Sequence, residues 1–250
     1  VDILQSFLPP VLLITFTTVM LIFINRGRKR ISREQREIAA YNRLRRMLGL
    51  AVEAGTRLHV SIGRGILADL QGAAAFVGVA MLERVARAAS ISDQPPIATS
   101  GDGLLSILST NTLRSTYNDI GLDGQFNPDA SQITGVTPFS YTVGAMSVLG
   151  SEGISASLLA GSFGGEVVLL ADSAERNGSV TIGGSENLTA QAVLYAAAHE
   201  PLVGEELFAA NAYLVADGTQ AASLKAEDVI RWVLIAVLAL VALLKLTGIL

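Results

Sequence analysis

Apolar positions fall into two patterns along this chain, continuous at its ends and periodic between them. From Ile3 to Ile24 the run is almost unbroken. Phe7, Leu8, Val11, Leu12, Leu13, Ile14, Phe16, Val19, Met20, Leu21, Ile22 and Phe23 appear with no charge among them. About 20 such residues at ~1.5 Å each span a ~30 Å hydrocarbon core. Pro9 and Pro10 predict a kink or an interfacial first turn there. The run returns from Val229 to Leu250, VIRWVLIAVLALVALLKLTGIL. Arg231 and Trp232 stand at its start, as interfacial anchors do, and Lys245 near its far end can snorkel. A buried core helix offers the same apolarity, but a matched pair at the two ends favours two spans.

Between them the pattern is periodic. Ile38, Tyr41, Leu44, Leu48 and Val52 form one apolar stripe and predict a helix over 32–54, ended by Gly55. Arg57–Ile62 reads as a strand with Leu58, Val60 and Ile62 on one face. A helix over 69–90 follows, with Asp69 as its cap. Further strands are expected at 96–99, 132–136, 154–159 and 179–182. Further helices are expected at 103–120, 139–149, 166–176, 187–198 and 204–215, and a loop at 121–130. Short strands alternating with helices predict an α/β fold: a mostly parallel sheet with helices on both faces, Rossmann-like. The expected organisation is a first span over 1–25, a basic juxtamembrane helix over 26–54, a cytoplasmic α/β domain over 55–228 and a second span over 229–250.

Charge sets the expected orientation. Nine of the 18 Lys and Arg residues lie between Arg26 and Arg46, led by Arg26, Arg28, Lys29 and Arg30 directly after the first span. Cytoplasmic flanks carry such an excess. The middle is therefore expected in the cytoplasm and both termini outside, in a double-pass arrangement at the cell membrane. A secretory signal places its positive charges before the apolar stretch, so this segment reads as an uncleaved anchor. The collar also suits anionic lipid headgroups. From Leu48 to Asp228, seven Lys and Arg face 19 Asp and Glu, a balance of −12. That repels nucleic-acid phosphates, and no nucleic-acid partner is expected.

The chain of 250 residues is 50% apolar and 16% charged, has no cysteine, two histidines and three lysines, and its mean hydropathy is positive. Disulfides, thiolate catalysis and cysteine-ligated metals are excluded. No P-loop, H-E-x-x-H or G-x-S-x-G pattern occurs, and neither a metal nor another cofactor is expected. His59 and His199 are solitary and read as structural, and Glu205 and Glu206 suit a helix start. What remains is glycine: Gly63-Arg64-Gly65, Gly101-Asp102-Gly103, Gly161-Ser162-Phe163-Gly164-Gly165 and Gly183-Gly184-Ser185 each follow an expected strand. In a parallel sheet these loops share the carboxyl edge, where open α/β sheets bind ligands. Gly63, Gly65, Gly101, Gly103, Gly164, Gly165, Gly184 and Ser185 are the candidate ligand residues, with tight turns as the plainer explanation. Gly63, Gly65 and Ala68 match a dinucleotide fingerprint only loosely, because the expected helix starts after the loop and no acid ends a second strand at the required distance.

The expected helices at 69–90 and 187–198 are rich in small residues, which permit close packing within one chain or between chains. The segment Val203-Gly204-Glu205-Glu206-Leu207-Phe208-Ala209-Ala210-Asn211-Ala212-Tyr213-Leu214, followed by Ser223-Leu224-Lys225, resembles a family of uncharacterised prokaryotic two-span membrane proteins carrying a domain of unknown function. Phe126-Asn127-Pro128 is a second match. The resemblance implies the architecture and carries no catalytic residues. Three functions stay open. The first is a non-enzymatic anchored scaffold whose domain self-associates as a homo-oligomer, alone or with an unidentified protein partner. The second is a ligand-binding or sensory domain using the glycine loops. The third is an enzyme of unrecognised type.

Overall fold

The computed structural model describes residues 13–18, 21–22, 37–65, 72–90, 92, 94–215 and 218–246. Two compact units result: Glu37–Leu214, and Val1–Arg36 with Val215–Leu250.

The unit Glu37–Leu214 is a single six-stranded sheet with helices against it. Its strands are β1 (Arg57–Gly63), β2 (Ile97–Ser100), β3 (Ser131–Ile133), β4 (Ile154–Ser162), β5 (Val180–Gly184) and β6 (Glu200–Leu202). The order is β3-β2-β1-β4-β5-β6 and every pair is parallel. The chain builds outward from β1 to β3, returns to set β4 beside β1, and builds outward the other way. The helices are α1 (Ala39–Ala54), α2 (Ala73–Ala89), α3 (Gly103–Asp119), α4 (Pro138–Ser151), α5 (Val167–Arg176), α6 (Leu188–Ala197) and α7 (Ala210–Val215).

Two apolar clusters show why the sheet is covered on both sides. Leu58, Val60 and Ile62 of β1 pack with Tyr41 and Leu44 of α1, Leu82 and Val85 of α2, and Leu105 and Leu113 of α3. Ile97 and Leu159, from the other face, pack with Tyr141 and Leu149 of α4, Leu170 of α5 and Leu194 of α6. The predicted α/β class with a parallel sheet is therefore observed. Local chemistry starts the helices. Asp102 accepts from the Leu104 and Leu105 N–H groups at the head of α3. Thr137 and Ser140 form a capping box on α4, with Pro138 in its first turn, and Asn187 caps α6.

Several expectations shift. The first helix of this unit begins at Ala39 rather than at 32, and residues 32–36 lie outside the described residues. Helix α2 begins at Ala73 behind Gly72, and Asp69 also lies outside them. The region 204–215 is a 3-10 turn (Gly204–Glu206) followed by the short α7, not one helix. The sheet gains β6, which the sequence reading left as helix end and loop. The small residues of α2 are used within the chain: Ala74, Ala75, Gly78, Ala86 and Ala89 are buried, and a Cβ on Gly78 would strike the Ala160 carbonyl of β4.

In the other unit, residues 13–18 and 21–22 are helical and α8 covers Gly218–Leu246. Helix α8 starts well ahead of Val229, so the expected border between residues 228 and 229 falls inside one helix. No helix among the described residues is long and apolar enough to cross a membrane. The two expected flanking spans are thus not shown. Residues 3–12, 19–20, 23–24 and 247–250 of those spans, and the side chains at 237, 240–244 and 246, lie outside the described residues.

Candidate functional site

Open α/β sheets bind ligands outside the carboxyl ends of their strands, where the strand order reverses. Here the reversal lies between β1 and β4, so the crevice to inspect is bordered by Gly63-Arg64-Gly65 and Phe163-Gly164-Gly165-Glu166.

All four glycine segments reach this one edge, but Gly63, Gly161, Ser162, Gly183 and Gly184 belong to the strands rather than to loops after them, and most of the space is taken. Gly63 ends β1 with φ +79°, and a Cβ there would run into the Ser162 backbone. A Cβ on Gly101 would meet the Arg64 side chain, and one on Gly184 the Leu202 Cβ at 2.8 Å. Gly65 is buried. Ser185 is fully buried, and its hydroxyl accepts from the Phe163 N–H at 3.2 Å and the Asn187 N–H at 3.4 Å. It ties the β4 and β5 loops together. Gly103 opens α3 with free space around it, and Gly165 is half-buried with only a Thr189 methyl nearby at 3.4 Å. On the β4 side the Gly164 N–H donates to Glu166 Oε1 at 3.0 Å, which brings negative charge into the crevice. On the β1 side Arg64 Nε donates to the Val136 carbonyl at 3.1 Å. Of the predicted membrane-interface residues, Arg231 and Trp232 lie exposed on α8, with Arg231 3.9 Å from Asp228. Arg26, Arg28, Lys29 and Arg30 lie outside the described residues.

Below the crevice runs a buried polar chain. His59 Nε2 is 2.9 Å from Thr99 Oγ1, and Nδ1 is 2.9 Å from Ser157 Oγ. The Tyr141 hydroxyl touches Ser61 Oγ, lies 3.3 Å from Thr99 Oγ1 and accepts from the Gly63 N–H at 3.3 Å. Burial pushes His59 down to about 3, so its imidazole is neutral. Burial also raises Tyr141, against the hydrogen bonds from Ser61 and Thr99. His59, Ser61, Thr99, Ser157 and Tyr141 are each at most 1% exposed. They clamp α4 and three adjacent strands together. Each is closed off from solvent by the surrounding sheet and helix. Among the described residues no group of His, Asp and Glu could hold a metal ion. A second clamp joins α1 to the 204–206 turn and to α7: the Tyr41 hydroxyl donates to the Glu206 carbonyl at 2.6 Å and its ring stacks on Tyr213 of α7 at 5.3 Å.

The sequence reading missed two surfaces. Around the edge strand β3, Leu104, Ile107, Ile133, Val136, Phe139 and Val143 are each 52–70% exposed. Ser131 Oγ donates to the Ser106 carbonyl at 3.2 Å, which sets Leu104 and Ile107 beside β3. Around the opposite edge strand β6, Leu188, Tyr195, Val203 and Phe208 are exposed. Gln191 Oε1, on the same face of α6 as Leu188 and Tyr195, accepts from the Gly204 N–H at 3.1 Å and holds that face beside Val203. The sequence hint was the absence of any charge from residue 130 to 151.

The fold and this edge define an all-parallel, doubly wound α/β protein whose strand order is that of the dinucleotide-binding folds. The chain belongs to the family of the domain of unknown function DUF6754, which matches residues 4–249. No curated protein and no solved structure matches the chain.

Proposed function

We propose that this protein is a non-enzymatic scaffold, anchored in the cell membrane by two spans, whose cytoplasmic α/β domain self-associates. One observation carries the reading: large apolar side chains stay uncovered on both units. On α8, Trp232, Val233, Leu234 and Ile235 are consecutive and 48–71% exposed. At ~100° per residue four successive positions reach every side of a helix, so its whole circumference calls for an apolar medium. Lipid supplies one, and the uncharged, mostly apolar run of 3–24 supplies the second anchor. On the α/β unit, water faces the apolar clusters beside β3 and β6, and a second protein surface would remove them from it.

Orientation is tested with single cysteines, since the chain has none of its own. Ser147→Cys, on the exposed side of α4, is expected to resist an impermeant maleimide in intact cells and to react after lysis. Gln5→Cys is expected to react from outside. Labelling of Ser147→Cys in intact cells overturns the cytoplasmic placement.

A second reading has an observation of its own. Helices α3, α4 and α6 begin at the carboxyl edge under their own side-chain caps, whereas α2 and α5, which follow the switch-point strands β1 and β4, have no side-chain cap at Gly72 or Glu166. Helix N-termini suit anions. Millimolar inorganic phosphate or a nucleotide that raises the melting temperature would favour a ligand-binding or sensory domain. Unchanged melting across such a panel counts against it.

A further inference from the structure

We propose that copies of this chain join head to tail, the β3 edge of one sheet against the β6 edge of the next. The inference rests on the scaffold reading and names its contact surface and its partner, a second copy.

Most of each apolar cluster sits toward the carboxyl half of the sheet, while Tyr195, in the last turn of α6, lies nearer the amino half. Ile133 closes β3, Val136 follows it, and Leu104 and Phe139 lie in the first turns of α3 and α4. Across the molecule, Leu188 opens α6 and Val203 follows β6. When two sheets stand side by side with their strands parallel, the β3 cluster of one meets the β6 cluster of its neighbour at the same height. A two-fold contact of one edge with itself, about an axis normal to the sheet, reverses the strands and sends each cluster toward its partner's amino end.

At the observed exposures the six residues beside β3 offer on the order of 700 Å² and the four beside β6 about 500 Å², so a joint that covered all of it would bury at most about 1,200 Å², the lower limit of specific interfaces. Charge does not select the joint. The β3 side is uncharged from residue 130 to 151 and is bordered by Asp102 and Asp129 as well as by Arg64 at the Val136 carbonyl. The β6 side is bordered by Glu186, whose Oε2 is buried, so apolar contact carries the joint. Pro201 gives β6 no N–H at its centre, so side chains rather than a continued ladder carry the joint. A heterologous joint closes into a ring or runs on as a filament. Anchors in one bilayer restrict the rotation axis to the membrane normal.

The test uses the full chain in mild detergent, with two variants at exposed positions, Phe139→Asp and Tyr195→Asp, each checked by its melting curve. Mass photometry should find wild type as an assembly larger than a dimer and each variant alone as a monomer. An equal mixture of the two variants should form one-to-one dimers and nothing larger, because only one intact joint remains per pair. Homodimers of either variant alone, or a mixture that stays monomeric, overturn the head-to-tail joint. A wild-type assembly unaffected by both substitutions also overturns it while leaving self-association standing. A monomeric wild type removes the scaffold reading itself.

Discussion

Acid should loosen this fold through one residue, His59. Its ring lies fully buried between Thr99 and Ser157, and burial holds it down to about 3, against 6.5 for a free imidazole. Below pH 6.5 the unfolded chain takes up a proton at this position that the folded chain refuses. The stabilisation is complete above pH 6.5 and is lost as the pH falls toward 3. The slope is ~1.4 kcal/mol per pH unit and flattens near pH 3, so the loss is about 3 kcal/mol at pH 4 and about 4 kcal/mol at pH 3. Carboxylates titrate in the same range, and a His59→Gln variant separates them. Glutamine keeps polar atoms near both hydroxyls and has no proton to gain. Its own cost at pH 7 should be about 1–3 kcal/mol, because part of the buried hydrogen bonding is lost. Urea unfolding of the detergent-solubilised chain, followed by circular dichroism at pH 7, 6, 5 and 4, gives both curves. The gap between wild type and variant should close by about 3 kcal/mol between pH 6.5 and pH 4. Parallel curves would refute the neutral, buried assignment of His59.

Two other positions test the packing that shapes the carboxyl edge. Tyr141→Phe removes the hydroxyl that serves Ser61, Thr99 and the Gly63 N–H, and should cost about 1–3 kcal/mol in the same assay with little change of shape. An unchanged midpoint would show that this hydroxyl is dispensable to the clamp. Gly78→Ala drives a methyl group into the Ala160 carbonyl, so α2 must lift from β4 at about 1–3 kcal/mol, and a stabilised variant would contradict the close packing.

The parts of the fold set by local pattern were legible in the sequence. The alternation of Leu58, Val60 and Ile62 marks β1, and the helix expected over 103–120 is α3. The order of strands and helices led to the parallel sheet. What stayed hidden depends on partners distant in the chain. Pro201 argues against a strand, yet β6 lies at the sheet edge, where a missing N–H is tolerated. Gly161 looks like a loop residue, yet it lies inside β4, because only glycine lets that strand approach Ile62 of β1 so closely. Hydropathy marks Val229 as a border, while α8 runs through from Gly218, since apolarity records surroundings and not where a helix begins. His59 is open to sequence reading only as a solitary residue, because its partners come from β2 and β4, far along the chain. The glycine loops reach one edge as expected. That Ser185, Gly63 and Gly101 are filled by their own neighbours depends on the packed loops and on nothing local.

Self-association at the membrane is the centre of the account, and the mass of the detergent-extracted chain tests it most directly. Native mass spectrometry under conditions that retain small bound species should give one discrete multiple of the 26.2 kDa chain, larger than two copies. A monomer carrying a reproducible small adduct would contradict the scaffold and point to the crevice between β1 and β4.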